Sequence, residues 1–203
     1  MPIHNSLVQN AERRILILQK VNDALDWGFN PTYLLMENPN PSDLDGDSSL
    51  DQEEKTGITD TSETLQIDKT FVWTEAEDLN LRNYVIRGMA RAVASVSIAR
   101  TGSTDGNIYL TKVVFDIGFV DSTGNFTSKK SANATPNFST NSTSYQTVSA
   151  QAFLSLTPFG VPSDKRLALR VRCYGYKETT ESGKMKLNCA RGSADSYLEV
   201  FID

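Results

Sequence analysis

The feature that most constrains this chain is a run of eight even-numbered positions, Tyr84, Ile86, Gly88, Ala90, Ala92, Ala94, Val96 and Ile98, all apolar or Gly. The odd positions between them include Arg87, Arg91, Ser95 and Ser97. Alternation with period two marks a strand with one buried and one solvated face. Thr74 and Glu77 have capping-box spacing and argue for a helix instead, but eight consecutive matches outweigh one cap. Small Ala and Gly on the buried face leave room for bulky side chains opposite.

The same period appears at Leu65, Ile67, Phe71 and Trp73. The turn signal TGSTDG at 101–106 returns the chain into IYLTKVVFDIGFV, which predicts a long hairpin partner for the Ala-rich strand. Residues 122–144 hold six Ser, five Thr and four Asn, with Pro136, and predict a loop or irregular edge. Asn125, Asn133, Asn137 and Asn141 in that stretch each open an N-glycosylation sequon, here read as an accident of composition because no secretion signal is visible. Further strands are expected at about 145–157, 165–177, 184–190 and 196–202. Seven or so strands without βαβ alternation predict an all-β fold, an antiparallel β-sandwich or jelly roll.

Ahead of the strands, residues 7–27 predict an amphipathic N-terminal helix. Val8, Ala11, Ile15, Leu18 and Leu25 carry the apolar stripe, Ser6 caps the start and Gly28 the end. Such a helix is marginal alone, so the stripe docks either on its own domain or on a neighbouring subunit, with Val8, Ile15, Leu18 and Leu25 as the partner-binding residues. Pro31, Pro39 and Pro41 stop any continuation. The expected division is a helical extension at 1–36, an acidic linker or calcium loop at 37–68, and a β-sandwich at 69–203.

From Glu37 to Asp68 there are ten acidic residues and one basic one. Within this run, Asp43, Asp45, Asp47, Ser49, Asp51 and Glu54 occupy positions one, three, five, seven, nine and twelve, with Leu50 at eight. That spacing resembles an EF-hand calcium loop. The resemblance implies Asp43, Asp45, Asp47 and Glu54 as direct ligands, Ser49 through its carbonyl and Asp51 through water. Ser48 stands where the family has Gly, and prolines precede the loop where the family has a helix. The alternative is a solvated acidic linker.

The turn TTESG at 179–183 predicts a hairpin centred on Glu181, which sets Cys173 opposite Cys189 on a face shared with Leu167, Leu169, Val171, Met185 and Leu187. The pair reads either as a cross-strand disulfide or, for a chain made in a reducing cytoplasm, as two buried thiols. The other face of this hairpin carries Arg170, Arg172, Tyr174, Tyr176, Lys184 and Lys186. It is an anion, glycan or protein contact surface, or a solvated sheet face. The register also predicts the pairs Glu178 with Lys184 and Tyr176 with Lys186.

Several functions are disfavoured. A net charge of −5 argues against a nucleic-acid partner, and no apolar run reaches membrane-helix length. The segment MPIHNSLVQNAERR lacks the regions of a secretory signal, so synthesis in the host cytoplasm is expected. His4 is the single histidine, and no G-x-S-x-G, phosphate loop or Cys/His metal spacing is present. Glu75, Glu77, Asp78 and Asp116 are available carboxylates that nothing in the sequence pairs, and the expectation is that the chain is not an enzyme.

In the segments ARAVASVSIARTGSTDGNIYL, FDIGFVDSTGNFTS, LALRVRCYGY and SADSYLEVFID, strand, turn and Ser/Thr-rich composition resembles small β-sandwich virion proteins of tailed bacteriophages and related viruses. The likeness covers about two thirds of the chain and implies a capsid decoration, tail or connector protein held by repeated contacts in a homo-oligomer with other virion proteins. The alternative is a calcium-bearing carbohydrate-binding or host-attachment sandwich, with Tyr174, Tyr176, Trp27 and Trp73 as aromatic platforms.

Overall fold

The Ala-rich period-two run is a strand, and a long one. In the computed structural model it is β5 (Val85–Arg100), one of twelve strands among the described residues, which are all-β. The structure describes residues 12–18, 33–37, 53–73, 85–102, 106–178, 182–188 and 196–202. The other strands are β1 (Glu12–Leu18), β2 (Tyr33–Glu37), β3 (Glu53–Ile58), β4 (Thr64–Trp73), β6 (Ile108–Asp121), β7 (Phe126–Ala134), β8 (Phe138–Thr140), β9 (Gln146–Gly160), β10 (Lys165–Lys177), β11 (Gly183–Asn188) and β12 (Tyr197–Ile202).

In hydrogen-bonded order the path runs β3–β11–β5–β12–β1–β2–β4–β10–β6–β7, with β9 on the other side of β5 and β8 continuing β7 along β6. Pairing is antiparallel except between β1 and β2. The path folds over itself as a sandwich, one layer built on β9, β5 and β11, the other on β4, β10, β6 and β7. Face counting holds for the even positions Ile86, Ala90, Ala92, Ala94, Val96 and Ile98, all buried, but the face expected to be solvated is covered too along the second half of β5, where Val93, Ser95, Ser97 and Ala99 are also buried. Ala94, Ala92 and Ala90 sit opposite Ala150, Ala152 and Leu154 of β9, which keeps this layer thin. The same core holds Phe71 and Phe115 as its largest buried side chains. Phe119 of β6 meets Phe159 of β9 edge to face, 5.4 Å between centroids.

Three expectations are corrected. Residues 12–18 form a strand where the middle of the N-terminal helix was expected; 7–11 and 19–27 lie outside the described residues. Helical spacing selected Ile15 and Leu18 from an unbroken run, Ile15-Leu16-Ile17-Leu18, of the kind that suits a strand flanked on both sides. β1 has β12 on one side and β2 on the other. Second, β5 and β6 do not pair: β5 is flanked by β9, β11 and β12, and β6 by β10, β7 and β8. The 101–106 segment therefore carries the chain from one layer to the other. Third, β10 and β11 are not a hairpin. β10 lies between β4 and β6, and β11 between β3 and β5, so Cys173 faces Ile67 and Val113 in its ladders.

Crowding from the neighbouring strand β6, at a register shift, and from the facing layer explains Gly175, the inward residue near the end of β10. A Cβ there would stand 2.3 Å from the Tyr109 carbonyl oxygen and 2.8 Å from the Met185 methyl of β11. Gly88 takes a positive φ of 78° where the β5–β9 register slips, a bulge that a side chain would strain.

β11 and β12 lie end to end along one side of β5, with Asn188 opposite Ser95 and Tyr197 opposite Val93. Ser196 splices the gap. Its Oγ accepts from the Ser95 N–H at 2.9 Å and donates to the Asn188 carbonyl at 2.6 Å, so the ladder loses no buried donor at the join. The Asn188 amide donates to the Ser95 and Ser97 hydroxyls at 3.1 and 2.9 Å.

Candidate functional site

The outward side chains of β10 form a row on the layer built by β4, β10 and β6. Arg170 Nε donates to Asp68 Oδ1 at 2.6 Å, and its Nη2 donates to Oδ2 of the same carboxylate. Arg172 directs Nε and Nη2 at Asp116 Oδ2, 3.2 and 2.7 Å away. The Lys112 ammonium lies 4.3 Å from the Tyr174 ring centroid and donates to Glu63 Oε1 at 2.8 Å. That hydrogen bond holds the Glu63 carboxyl below its ordinary value. Tyr176 stacks on Tyr109 of β6, centroids 4.5 Å apart, and the Tyr109 hydroxyl donates to Glu178 Oε2 at 2.9 Å.

The structure thus brings Arg170, Arg172, Tyr174 and Tyr176 together as expected, but it also pairs them. Both guanidinium forks are turned toward carboxylates, so an anion has to compete with a charge-assisted contact already made. One face of Tyr174 is taken by Lys112 and one face of Tyr176 by Tyr109, which removes ring area from a glycan platform. Lys184 and Lys186 belong to the other layer, where Lys186 lies over Tyr145 at 4.7 Å; the expected pairs of Glu178 with Lys184 and Tyr176 with Lys186 are not formed. Asp68, Lys112 and Tyr109 were missed from sequence, and Asp116 was named only as an unpaired carboxylate. The placement of β4 and β6 beside β10 was not readable, nor was the register shift between Tyr174 and Gly175 that lets Tyr109 and Lys112, of opposite parity, serve one face.

A second outward surface lies on β5 and β9. Met89 is 50% exposed, Phe153 58% and Val85 41%. Met89 faces Ser155 and Phe153 faces Arg91, so the Met89 and Phe153 side chains are diagonal neighbours across the ladder. Arg91 donates to Gln151 Oε1 at 2.8 and 3.2 Å beside them. Both were missed from sequence, although each is a large apolar side chain on the face its own strand gives to solvent.

Of the calcium-loop residues, Asp43, Asp45, Asp47, Ser49 and Asp51 lie outside the described residues. Glu54 lies in β3, its backbone opposite Leu187. Among the described residues no group of three or more His, Cys, Asp or Glu is placed to hold a metal ion. Val8, Leu25, Trp27 and Cys189 also lie outside; Ile15 and Leu18 are in β1, opposite Tyr33 and Met36. Cys173 is a free, fully buried thiol whose pKa burial pushes up to about 12. Asp116, the one described carboxylate of the glycosidase set, is committed to Arg172.

No family model matches the chain, and no curated protein matches it. Two solved structures of a CocE/NonD family hydrolase from Staphylococcus aureus match at TM-scores of 0.41 and 0.42 with 11% and 12% identity, over 86% and 90% of this chain. The chain spans 42% of the length of each. The structure of infectious bursal disease virus, Gx strain, matches at a TM-score of 0.30 with 10% identity, over 83% of this chain and 43% of that one. The expectation that the chain is not an enzyme is withdrawn, because the solved structures similar to it include hydrolases. At these scores none of the three transfers an activity or an assembly to this chain.

Proposed function

We propose that the chain is a structural component of a virion, a capsid decoration, tail or connector protein that works through contacts between subunits. The observation that carries the reading is the pair Met89 and Phe153, two large apolar side chains at least half exposed and adjacent on a sheet face that also exposes Val85. Such a cluster on a stable sandwich suits a protein contact, where buried aromatic and Met side chains supply most of the affinity. The strand and turn composition shared with virion sandwiches supports the particular setting. Calcium at the Asp43–Glu54 loop belongs to the same proposal, as a reinforcement of assembly.

Light scattering on the full chain over a range of concentrations, in calcium and in EDTA, tests it. The expected result is a defined oligomer that M89S/F153S converts to monomer with an unchanged far-ultraviolet spectrum, and that loosens in EDTA. A wild-type monomer at every concentration overturns the contact reading; an oligomer indifferent to EDTA removes only the calcium. Deletion of residues 1–36 is not a clean test, since β1 is hydrogen-bonded to β12 and β2 lies between β1 and β4.

A further inference from the structure

Of the two readings of the Ser/Thr/Asn-rich stretch, loop or irregular edge, the structure shows the edge. It is the strand β7, a break in the ladder at 135–137 and the strand β8, which continues along the same side of β6. Each of its four asparagines has a hydroxyl residue two positions on: Asn125 with Thr127, Asn133 with Thr135, Asn137 with Ser139, Asn141 with Thr143. All eight of these residues are exposed, whereas the residues between them, Phe126, Ala134, Phe138 and Ser142, are each half-buried. Ala134 and Phe138 pack against the main core, and Phe126 against Val120 and Ala168. The sequon spacing of two equals the strand period, so along the strands asparagine and hydroxyl are turned to solvent together while the middle residue anchors the edge. Elsewhere the chain has ten asparagines and no sequon; Asn30 and Asn40 have the hydroxyl residue but are followed by Pro, which blocks the motif.

We propose that the β7–β8 edge is a glycan-acceptor surface, modified at asparagine by transfer of an oligosaccharide from a lipid-pyrophosphate donor. In the transfer, Asn Nδ2 forms a bond to the anomeric carbon and the bond from that carbon to the pyrophosphate oxygen breaks. The lipid pyrophosphate leaves with the electron pair, the amide gives up one proton, and nothing is oxidised or reduced. Geometry ranks the sites. Asn133 lies within β7, where its backbone is held in the ladder opposite Val114 of β6. Asn137, by contrast, has a left-handed φ of 46° in the break between β7 and β8, and Asn141 follows the end of β8. Asn125 is in the turn after β6, where its amide already donates to Thr123 Oγ1 at 2.7 Å.

The test secretes the full chain from a eukaryotic host behind a cleavable leader. Peptide N-glycosidase treatment and mass spectrometry then locate each Asn converted to Asp. Glycans are expected at Asn137 and Asn141 with the highest occupancy and at Asn133 with the lowest. S139A and T143A should each remove one glycan and leave the thermal unfolding midpoint unchanged. A folded, secreted chain with no glycan at any of the four positions overturns the proposal, and highest occupancy at Asn133 overturns the ranking. Should the fusion be retained in the cell, the folded chain made in bacterial cytosol and incubated with purified transferase and lipid-linked oligosaccharide gives the same readout, and absence of transfer there is equally fatal.

Discussion

Replacing Ser196 by Ala removes a single oxygen, and the effect on stability follows from what that oxygen does. Ser196 is fully buried at the join between β11 and β12, where Oγ serves the Ser95 N–H and the Asn188 carbonyl at once. With a methyl group in its place, both backbone groups lose that partner. A buried polar group left without one costs about 1–3 kcal/mol, so the two together give about 2–6 kcal/mol of destabilisation. The methyl group itself fits, so neither a cavity nor a clash contributes. Equilibrium urea unfolding measures the difference, with an unchanged m-value showing that the unfolded reference has not moved. S155A, on the exposed face of β9, is the control and is expected within about 0.5 kcal/mol of wild type. A loss below about 0.5 kcal/mol for S196A would refute the splice as a stabilising device, because it would mean that the strand ends satisfy themselves without the hydroxyl.

R172A strands the Asp116 carboxylate, whose side chain is 7% exposed, and is expected to cost about 1–3 kcal/mol, less than for a fully buried pair because Arg172 is itself 27% exposed. Adding D116N should recover part of that loss, and strictly additive losses in the double-mutant cycle would show the pair to be uncoupled. The Cys173 thiol, pushed up to about 12, stays protonated in the native state while the unfolded thiol ionises from its ordinary value upward. Wild-type stability should therefore fall with rising pH above about 9, more steeply than that of C173A by up to about 1.4 kcal/mol per pH unit; parallel profiles would contradict the burial. Asp121, drawn down to about 2 by the Thr123 hydroxyl and the Asn125 N–H, gives its turn a contribution that is present above the ordinary carboxyl value and lost as pH falls toward 2. A carboxyl NMR titration of T123V should show its midpoint moving up, and an unmoved midpoint would dismiss the hydroxyl as the cause.

How much of this was legible in the sequence depends on the kind of information asked for. Inward faces were readable, since a period of two picks them out residue by residue, as at the buried Ala150, Ala152, Leu154 and Leu156 of β9; in β5 the opposite face, with Ser95 and Ser97, is buried as well, which alternation did not foretell. The limits of β9, β10, β11 and β12 fell within a few residues of those expected because turn residues punctuate them. Neighbours were not readable. A short turn between two strands says equally well that they pair or that they stand in facing layers, and in both TGSTDG and TTESG the chain crosses over. Arg170 and Arg172 could thus be placed on an outward face while the carboxylates that hold them, from β4 and β6, could not be named. The helical reading of 7–27 failed over β1 because a continuous apolar run contains helical spacings by construction. The outward Met89 and Phe153 were visible as violations of their strands' own alternation, a signal that becomes informative once the strands are fixed.

The antiparallel pairing of β1 with β12 sets an order of events. Leu16 waits for Leu198, and β1 has its other neighbour in β2 alone. A nascent chain emerging from the ribosome therefore carries β1 through the synthesis of every strand from β2 to β11 before the strand that pairs with its other edge exists. The apolar stretch Ile15–Leu18 is exposed for that whole interval, when pairing with another unfinished chain is the main hazard. Closure of the sandwich is accordingly a late step, completed once β12 has been made, and a ribosome stalled before Tyr197 holds a chain with that edge still open.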